Sequence, residues 1–168
     1  MSRQVHGFSL LELMVAVTVA LVLLALVVPA FNDLLARNRV SSDTNLLLSA
    51  VQLGRSEAIK QNQTLVLCNA NAELTACSGQ AGQWQGFVVV DLADPPAVLR
   101  AGHFSDNATV SFAQPQLRFN PQGFFRTSAN QPLNDQFELC PEQDGPGRLL
   151  RLWSAGRTEI SLTQCGGS

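Results

Sequence analysis

The side chains that most often carry enzyme chemistry are scarce in this 168-residue chain. It has two histidines, His6 and His103, and neither lies in a recognisable catalytic pattern. GxSxG, Walker-type phosphate loop and HExxH sequences are all absent, and no pair of acids has a supporting context. The sequence therefore predicts no catalytic residues, no cofactor and no metal site. A membrane-anchored periplasmic enzyme would need an acid/base site that these residues do not offer.

The four cysteines could form disulfide bonds. Cys68, Cys77, Cys140 and Cys165 form no CxxC pair and do not match zinc-ligand spacing. An even number, all following a hydrophobic N-terminal segment, favours disulfides formed in an oxidising compartment. Three pairings exist, and proximity in sequence favours Cys68–Cys77 with Cys140–Cys165. Four buried free thiols are the alternative.

Three arginines near the C-terminus could contact phosphates. Arg148, Arg151 and Arg157 flank one predicted hairpin, and Trp153 lies between them where it could stack a base. Glu159 would repel a phosphate backbone, and strand alternation places Arg148 and Arg151 on opposite faces. Ordinary solvated charges on a sheet are the alternative interpretation. The whole chain has a formal net charge of −2, which does not indicate a nucleic-acid binder.

The N-terminal segment is the strongest feature of the sequence. From Phe8 to Phe31 the only charged residue is Glu12, and about 20 apolar residues are enough to span a bilayer. The apolar run is too long for an ordinary secretory signal, and no small-x-small cleavage site follows it. Glu12 suits a helix N-terminus, where an acid complements the macrodipole. Cleavage after Gly7 would also create an amine on Phe8, with i,i+4 spacing to Glu12.

The rest of the chain predicts a helix followed by strands. Leu47, Ala50, Val51, Gly54 and Ala58 follow the spacing of one buried helical face, while Asp43 and Arg55 are expected to be solvated. Beyond residue 61, short β-like runs are separated by Gly, Pro, Asn and Asp, which predicts an α+β fold. The predicted strands are 64–69, 84–91, 108–113, 117–120, 136–140, 148–154 and 158–165.

The stretch "GFSLLELMVAV" resembles the class III signal of type IV pilins and type II secretion pseudopilins. The resemblance implies that a prepilin peptidase cuts after Gly7 and that Phe8 becomes the N-methylated terminus. It also implies that Glu12 guides docking between subunits.

The C-terminal third narrows the resemblance. "FELC", "GRLLRLWSAGRTEI" and the final Cys165, together with "LGRSEAIKQNQ" at 53–63, resemble FimT/FimU-type minor pilins and pseudopilin H. Residues 69–136 carry none of this resemblance. FimT proteins that take up DNA have Gly-Arg-x-Arg at this turn, whereas this chain has Gly156-Arg157-Thr158-Glu159.

The resemblance implies a type IV pilin-like fold, in which a long N-terminal helix with a transmembrane first half packs on an antiparallel head. Residues 1–7 would be the leader, 8–36 the transmembrane and assembly helix, and 37–168 the periplasmic head. The protein would be a single-pass inner-membrane minor pilin or pseudopilin that primes or caps a type IV pilus or a type II secretion pseudopilus. Its partners would be other major and minor pilins or pseudopilins, the prepilin peptidase and inner-membrane lipid. A DNA-binding minor pilin for natural transformation is the alternative.

The predicted orientation, with the N-terminus in the cytoplasm and the head in the periplasm, follows from the resemblance and not from the charges beside the apolar segment. Only Arg3 precedes the apolar segment, whereas Arg37 and Arg39 follow it. Positive residues favour the cytoplasmic side, so this count alone does not favour a cytoplasmic N-terminus.

Overall fold

The computed structural model describes residues 10–92, 96–142 and 145–166, without the side chains of residues 26–30, 32 and 33. The chain divides into two compact units, Met1–Leu35 and Ala36–Ser168. The single helix of the described residues, α1, runs from Leu10 to Gln61 and contributes to both units.

In the first unit, the described side chains of α1 are mostly apolar and exposed. Leu10 is 78% exposed and Leu11 is 73% exposed, and the same holds for most apolar side chains as far as Leu34. Glu12 is the acidic residue of the first helical turn. Within the residues that the structure describes, no helix combines the length and the hydropathy of a membrane span.

In the second unit, α1 buries the face that the sequence predicts. Leu47, Ala50, Val51 and Ala58 are fully buried, and Gly54 lies on the same face. The prediction for Asp43 is wrong, because its carboxylate is buried and accepts hydrogen bonds from the Ser105 amide (3.1 Å) and hydroxyl (3.2 Å). These bonds offset the cost of removing the charge from water.

The helix ends in a Schellman motif. Asn62 has a positive φ of 52°, and its amide donates to the Ile59 carbonyl (3.3 Å). The Gln63 amide reaches back to the Ala58 carbonyl (3.1 Å). This pair of bonds satisfies the last helical carbonyls and turns the chain into the first strand.

After the helix, the described residues form ten strands in two antiparallel sheets. The first sheet has the order β4-β3-β1-β6-β7 and the second has the order β10-β9-β8-β5-β2. The strands are β1 Leu65–Asn69, β2 Gly82–Trp84, β3 Gly86–Asp91, β4 Val98–His103, β5 Ala108–Phe112, β6 Gln116–Phe119, β7 Phe125–Arg126, β8 Asp135–Pro141, β9 Gly145–Leu152 and β10 Thr158–Cys165.

Each of the seven predicted runs contains a strand, but one of them is two strands. The run 84–91 is interrupted at Gln85, where the chain passes from β2 in the second sheet to β3 in the first. Trp84 consequently packs against aromatic rings of the second sheet, whereas Phe87 is buried in the first. Strands β4 and β7 were not predicted.

The main core lies between the second half of α1 and the inner faces of both sheets. Phe112 and Phe137 stack with ring centroids 3.9 Å apart, and Trp84 meets both rings edge-on. Phe119 meets the edge of Phe125 and lies against Gly54 of the helix. Aromatic area thus supplies much of the apolar burial that joins the two sheets.

A smaller core lies on the opposite face of the first sheet. Val66, Val88 and Val90 are buried there with Cys68, and Leu74 packs over them. The Cys68–Cys77 disulfide holds the intervening loop. A second disulfide joins Cys140 to Cys165, so the structure has the cysteine pairing that sequence proximity favours.

Candidate functional site: the N-terminal helix and the β9–β10 hairpin

The N-terminal candidates are only partly within the described residues. Gly7 and Phe8 lie outside them, so cleavage and N-methylation at this position stay predictions. Glu12 is described, with an exposed side chain in the first turn of α1. Its position among exposed leucines provides a carboxylate within an apolar helical surface.

The turn between β9 and β10 positions Arg157. The Gly156 amide donates to the Trp153 carbonyl (2.8 Å), and the Trp153 amide donates to the Arg157 carbonyl (3.0 Å). The guanidinium of Arg157 lies 4.4 Å from the centre of the Trp153 ring and 2.9 Å from a Glu159 oxygen. Both contacts are accessible to solvent, so the ion pair contributes little to stability.

The three arginines do not form one cationic surface. In the strand register, Arg151 lies directly opposite Glu159 on β10 and Gln136 on β8. Arg148 has the same strand parity as the buried Leu150 and Leu152, so it lies on the other face of the sheet. The structure joins Arg157 to Glu159 in an ion pair, places Arg151 opposite Glu159 on the neighbouring strand, and leaves Arg148 apart from them.

Gly156 has a structural role that the sequence reasoning missed. Its φ is 84°, and a methyl group there would lie 2.6 Å from Arg55 Nε. The same Nε donates to the Gly123 carbonyl (2.9 Å), so Arg55 joins the helix to the turn at Gly123 and lies beside the turn at Gly156. Arg55 was expected to be solvated but is half-buried. The glycine of the Gly-Arg pair in this turn is therefore explained by packing against Arg55.

The Cys140–Cys165 disulfide crosses the sheet. Cys140 lies on β8 and Cys165 on β10, and the strand between them is β9. The bridge passes over Gly147, where an added methyl group would overlap Cys165 Sγ and lie 2.6 Å from the Leu139 carbonyl oxygen. Glu138 lies close to both sulfurs. Because both sulfurs are in the disulfide, they do not offer the thiolates that a metal requires.

A cavity of about 320 Å³ lies beside His103. Its lining includes Asp106 and Trp84, whose indole nitrogen is buried without a hydrogen-bond partner in the described part of the chain.

Comparison with protein families gives a match over most of the head. The family described as "Type II transport protein GspH" matches residues 43–156. The chain belongs to the GspH family. GspH-family proteins are structural pilins and pseudopilins. The match ends at Gly156, so strand β10 of this GspH-family chain lies beyond it. A second match, to the prokaryotic N-terminal methylation motif, covers residues 2–28 and therefore includes Gly7, Phe8 and Glu12.

Solved structures show the same fold. The type IV minor pilin FimU of Pseudomonas aeruginosa strain PAO1 matches with a TM-score of 0.57 at 24% identity. The alignment covers 74% of this GspH-family chain and 90% of FimU. A second crystal form of FimU gives a TM-score of 0.56 at 24% identity, over 72% and 91% of the two chains. The predicted type IV pilin-like α+β fold is confirmed. Comparison with curated proteins finds no match.

Proposed function

We propose that this GspH-family chain is a minor pilin or pseudopilin that primes or caps a type IV pilus or a type II secretion pseudopilus. Prepilin peptidase cuts it after Gly7, and Phe8 becomes the methylated terminus. The observation that carries the proposal is the joint presence of the methylation motif at residues 2–28 and the GspH head at 43–156. The role is structural and not enzymatic.

The proposed arrangement follows the predicted division of the chain. Residues 1–7 are the leader, 8–36 anchor the protein in the inner membrane by a single pass, and 37–168 form the periplasmic head. Disulfides at Cys68–Cys77 and Cys140–Cys165 agree with folding of the head in an oxidising compartment. Other pilins or pseudopilins, the peptidase and membrane lipid are the partners.

Glu12 carries the assembly step in this proposal. Its carboxylate pairs with the terminal amine of a neighbouring subunit when apolar helices pack together. Glu12→Ala is expected to lower the fraction of the protein in sheared fibres by more than about tenfold, because an unpaired charge in a low-dielectric environment costs about 3 kcal/mol or more. Immunoblots of sheared fibres and of membranes measure the two pools.

Glu73→Ala is the matched control for this experiment. Glu73 is an exposed acid in the head, so its loss removes the same charge away from the helix. The control is expected to assemble as the wild type does. Equal fibre incorporation of Glu12→Ala, Glu73→Ala and wild type would show that Glu12 has no docking role.

DNA binding is the second candidate function, and it rests on the exposed Arg157–Trp153 stack. Glu159 pairs with Arg157 and opposes Arg151, which weakens any phosphate contact at this turn. Glu159→Arg is therefore expected to raise the affinity of the full-length protein in detergent for duplex DNA by about tenfold, with a steeper salt dependence. Arg157→Ala should lower it. The absence of wild-type binding at low salt would remove this candidate.

A further inference from the structure

We infer that β10 is a docking edge, to which an extended strand from the head of a different pilin-type subunit adds by backbone hydrogen bonding. The inference rests on the proposed function, since it names a contact that the chain makes inside a fibre. The added strand carries an apolar side chain that covers Leu162. In the part of the chain that the structure describes, the two sheets end in four edge strands, β4, β7, β10 and β2.

Three of these edges are poor templates for another strand. Strand β7 has two residues and β2 has three, so neither can form a long ladder. Strand β4 has six residues, but its pairing with β3 shifts register between Val89 and Val90. It also carries Arg100 and His103. Short length, irregular pairing and charge are the usual features that protect an edge from further pairing.

Strand β10 lacks these protective features. It has eight residues, Thr158–Cys165, and all eight pair with β9 in one unbroken register. It contains no proline and no lysine, and its single charged residue, Glu159, is engaged by Arg157 at one end. A long, regular and nearly uncharged edge is a template for strand addition.

The free side of β10 offers both hydrogen-bonding groups and an apolar contact. None of the described backbone hydrogen bonds outside the helix and the strand ladders involves residues 158–165. Leu162 lies near the middle of the strand and is 78% exposed, although Ile160, two residues earlier, packs against the core. An added strand would satisfy the unpaired amides and carbonyls and remove Leu162 from water.

The edge is already held in the conformation that binding needs. The Cys140–Cys165 disulfide attaches the end of β10 to β8, and the turn at 153–157 holds its beginning. A strand that is ordered before association loses less conformational entropy when a partner binds.

The common direction of subunits in a fibre excludes pairing of β10 with the β10 of a second copy. Two copies of β10 related by a two-fold axis would pair antiparallel and run in opposite directions. Subunits that leave the membrane by the same anchored end all run in one direction. The β10 edge of one subunit therefore meets a different surface of its neighbour, which is a heterologous contact. A chain that primes or caps a fibre, as proposed, has other pilins or pseudopilins as its neighbours, so the added strand belongs to a different subunit.

Site-specific photo-crosslinking in the cells that make the fibre tests the inference. A photoreactive phenylalanine analogue replaces Leu162 in the full-length protein, and a second variant carries it at Leu99 on the β4 edge as the control. Leu99 is also an exposed leucine, at 38%. We expect adducts between the Leu162 position and another pilin-type subunit, identified by mass spectrometry, and none from the Leu99 position.

Leu162→Lys supplies an independent measurement, because a lysine on an edge strand opposes further pairing. It is expected to lower incorporation into sheared fibres by about tenfold, while Leu162→Val and Leu99→Lys stay within about twofold of wild type. Adducts of this chain with itself alone, or normal incorporation of Leu162→Lys without adducts, would overturn the inference. Absence of the wild-type protein from fibres would instead overturn the proposed function.

Discussion

At the scale of single residues, the head depends on glycines that allow close approach. Gly147 lies beneath the Cys140–Cys165 bridge, and Gly156 lies against Arg55. These positions differ in what they require. Gly156 has a positive φ and would be strained by any side chain, whereas Gly147 is limited by the space above and beside it. Gly147 therefore isolates the contribution of close packing from that of backbone conformation.

Gly147→Ala is expected to destabilise the head by about 1–3 kcal/mol, because its methyl group overlaps Cys165 Sγ and approaches the Leu139 carbonyl. Thermal unfolding measures the loss of stability, and titration of free thiols measures closure of the bridge. We expect a lower melting temperature and a larger free-thiol fraction in the variant.

The matched background for this test is the double variant Cys140→Ser/Cys165→Ser. Without the bridge, the cost of Gly147→Ala should shrink, while the contact with the Leu139 carbonyl keeps it above zero. An equal cost in both backgrounds would show that the disulfide does not limit this position.

At the scale of elements, the second half of α1 organises the head. Its buried face contacts strands of both sheets, and its Schellman end leads directly to β1. Gly54 marks a close approach, since a methyl group there would lie 2.9 Å from Cδ2 of Phe119 on β6. The helix is held here by ring packing on one side and by the Arg55–Gly123 hydrogen bond nearby.

Gly54→Ala gives opposite expectations from helix propensity and from packing. Alanine in a helix interior is favoured over glycine by about 1 kcal/mol. The overlap with the Phe119 ring should outweigh this gain and leave a net destabilisation of about 1–2 kcal/mol. Denaturant unfolding of the full-length protein in detergent measures the change.

Ser56→Ala is the control, because Ser56 is exposed on the same helix and its hydroxyl donates to the Leu53 carbonyl within its own helix. It should be neutral or slightly stabilising. Adding Phe119→Leu to Gly54→Ala should recover part of the lost stability. A stabilised Gly54→Ala protein would show that the ring moves aside at little cost.

At the scale of the whole molecule, local patterns predicted most of the fold because they have local causes. The helical stripe from Leu47 to Ala58 and the alternation of Phe137 and Leu139 in β8 both reflect one buried face. What failed depends on tertiary contacts. Nothing near Asp43 in the sequence indicates its bonds to Ser105, 62 residues away, and nothing near Arg55 indicates Gly123. Strand β4 was missed because its apolar residues do not alternate with polar ones: Val98 and Leu99 are adjacent, and both are exposed on this edge strand.

The sequence predicted the N-terminal motif more completely than it predicted the arrangement of the C-terminal arginines. Gly7, Phe8 and Glu12 form a contiguous motif, so the sequence alone contains the pattern that matches the methylation signal. The arginines at 148, 151 and 157 required strand register to be judged, and the register places Glu159 opposite Arg151. Alternation predicted correctly that Arg148 and Arg151 lie on opposite faces. The open edge of β10 became visible only when both sheets were complete.

The bridge over β9 also determines how the head responds to mechanical force. A terminal strand in an antiparallel sheet ordinarily peels from its free end, because pulling breaks the ladder hydrogen bonds one after another. Strand β10 has no free end: the 153–157 turn closes one end and the Cys140–Cys165 bond closes the other. Tension on β10 must therefore load several hydrogen bonds together in shear and pass on to β8. A subunit built in this way transmits a pull on its edge to the middle of its sheet.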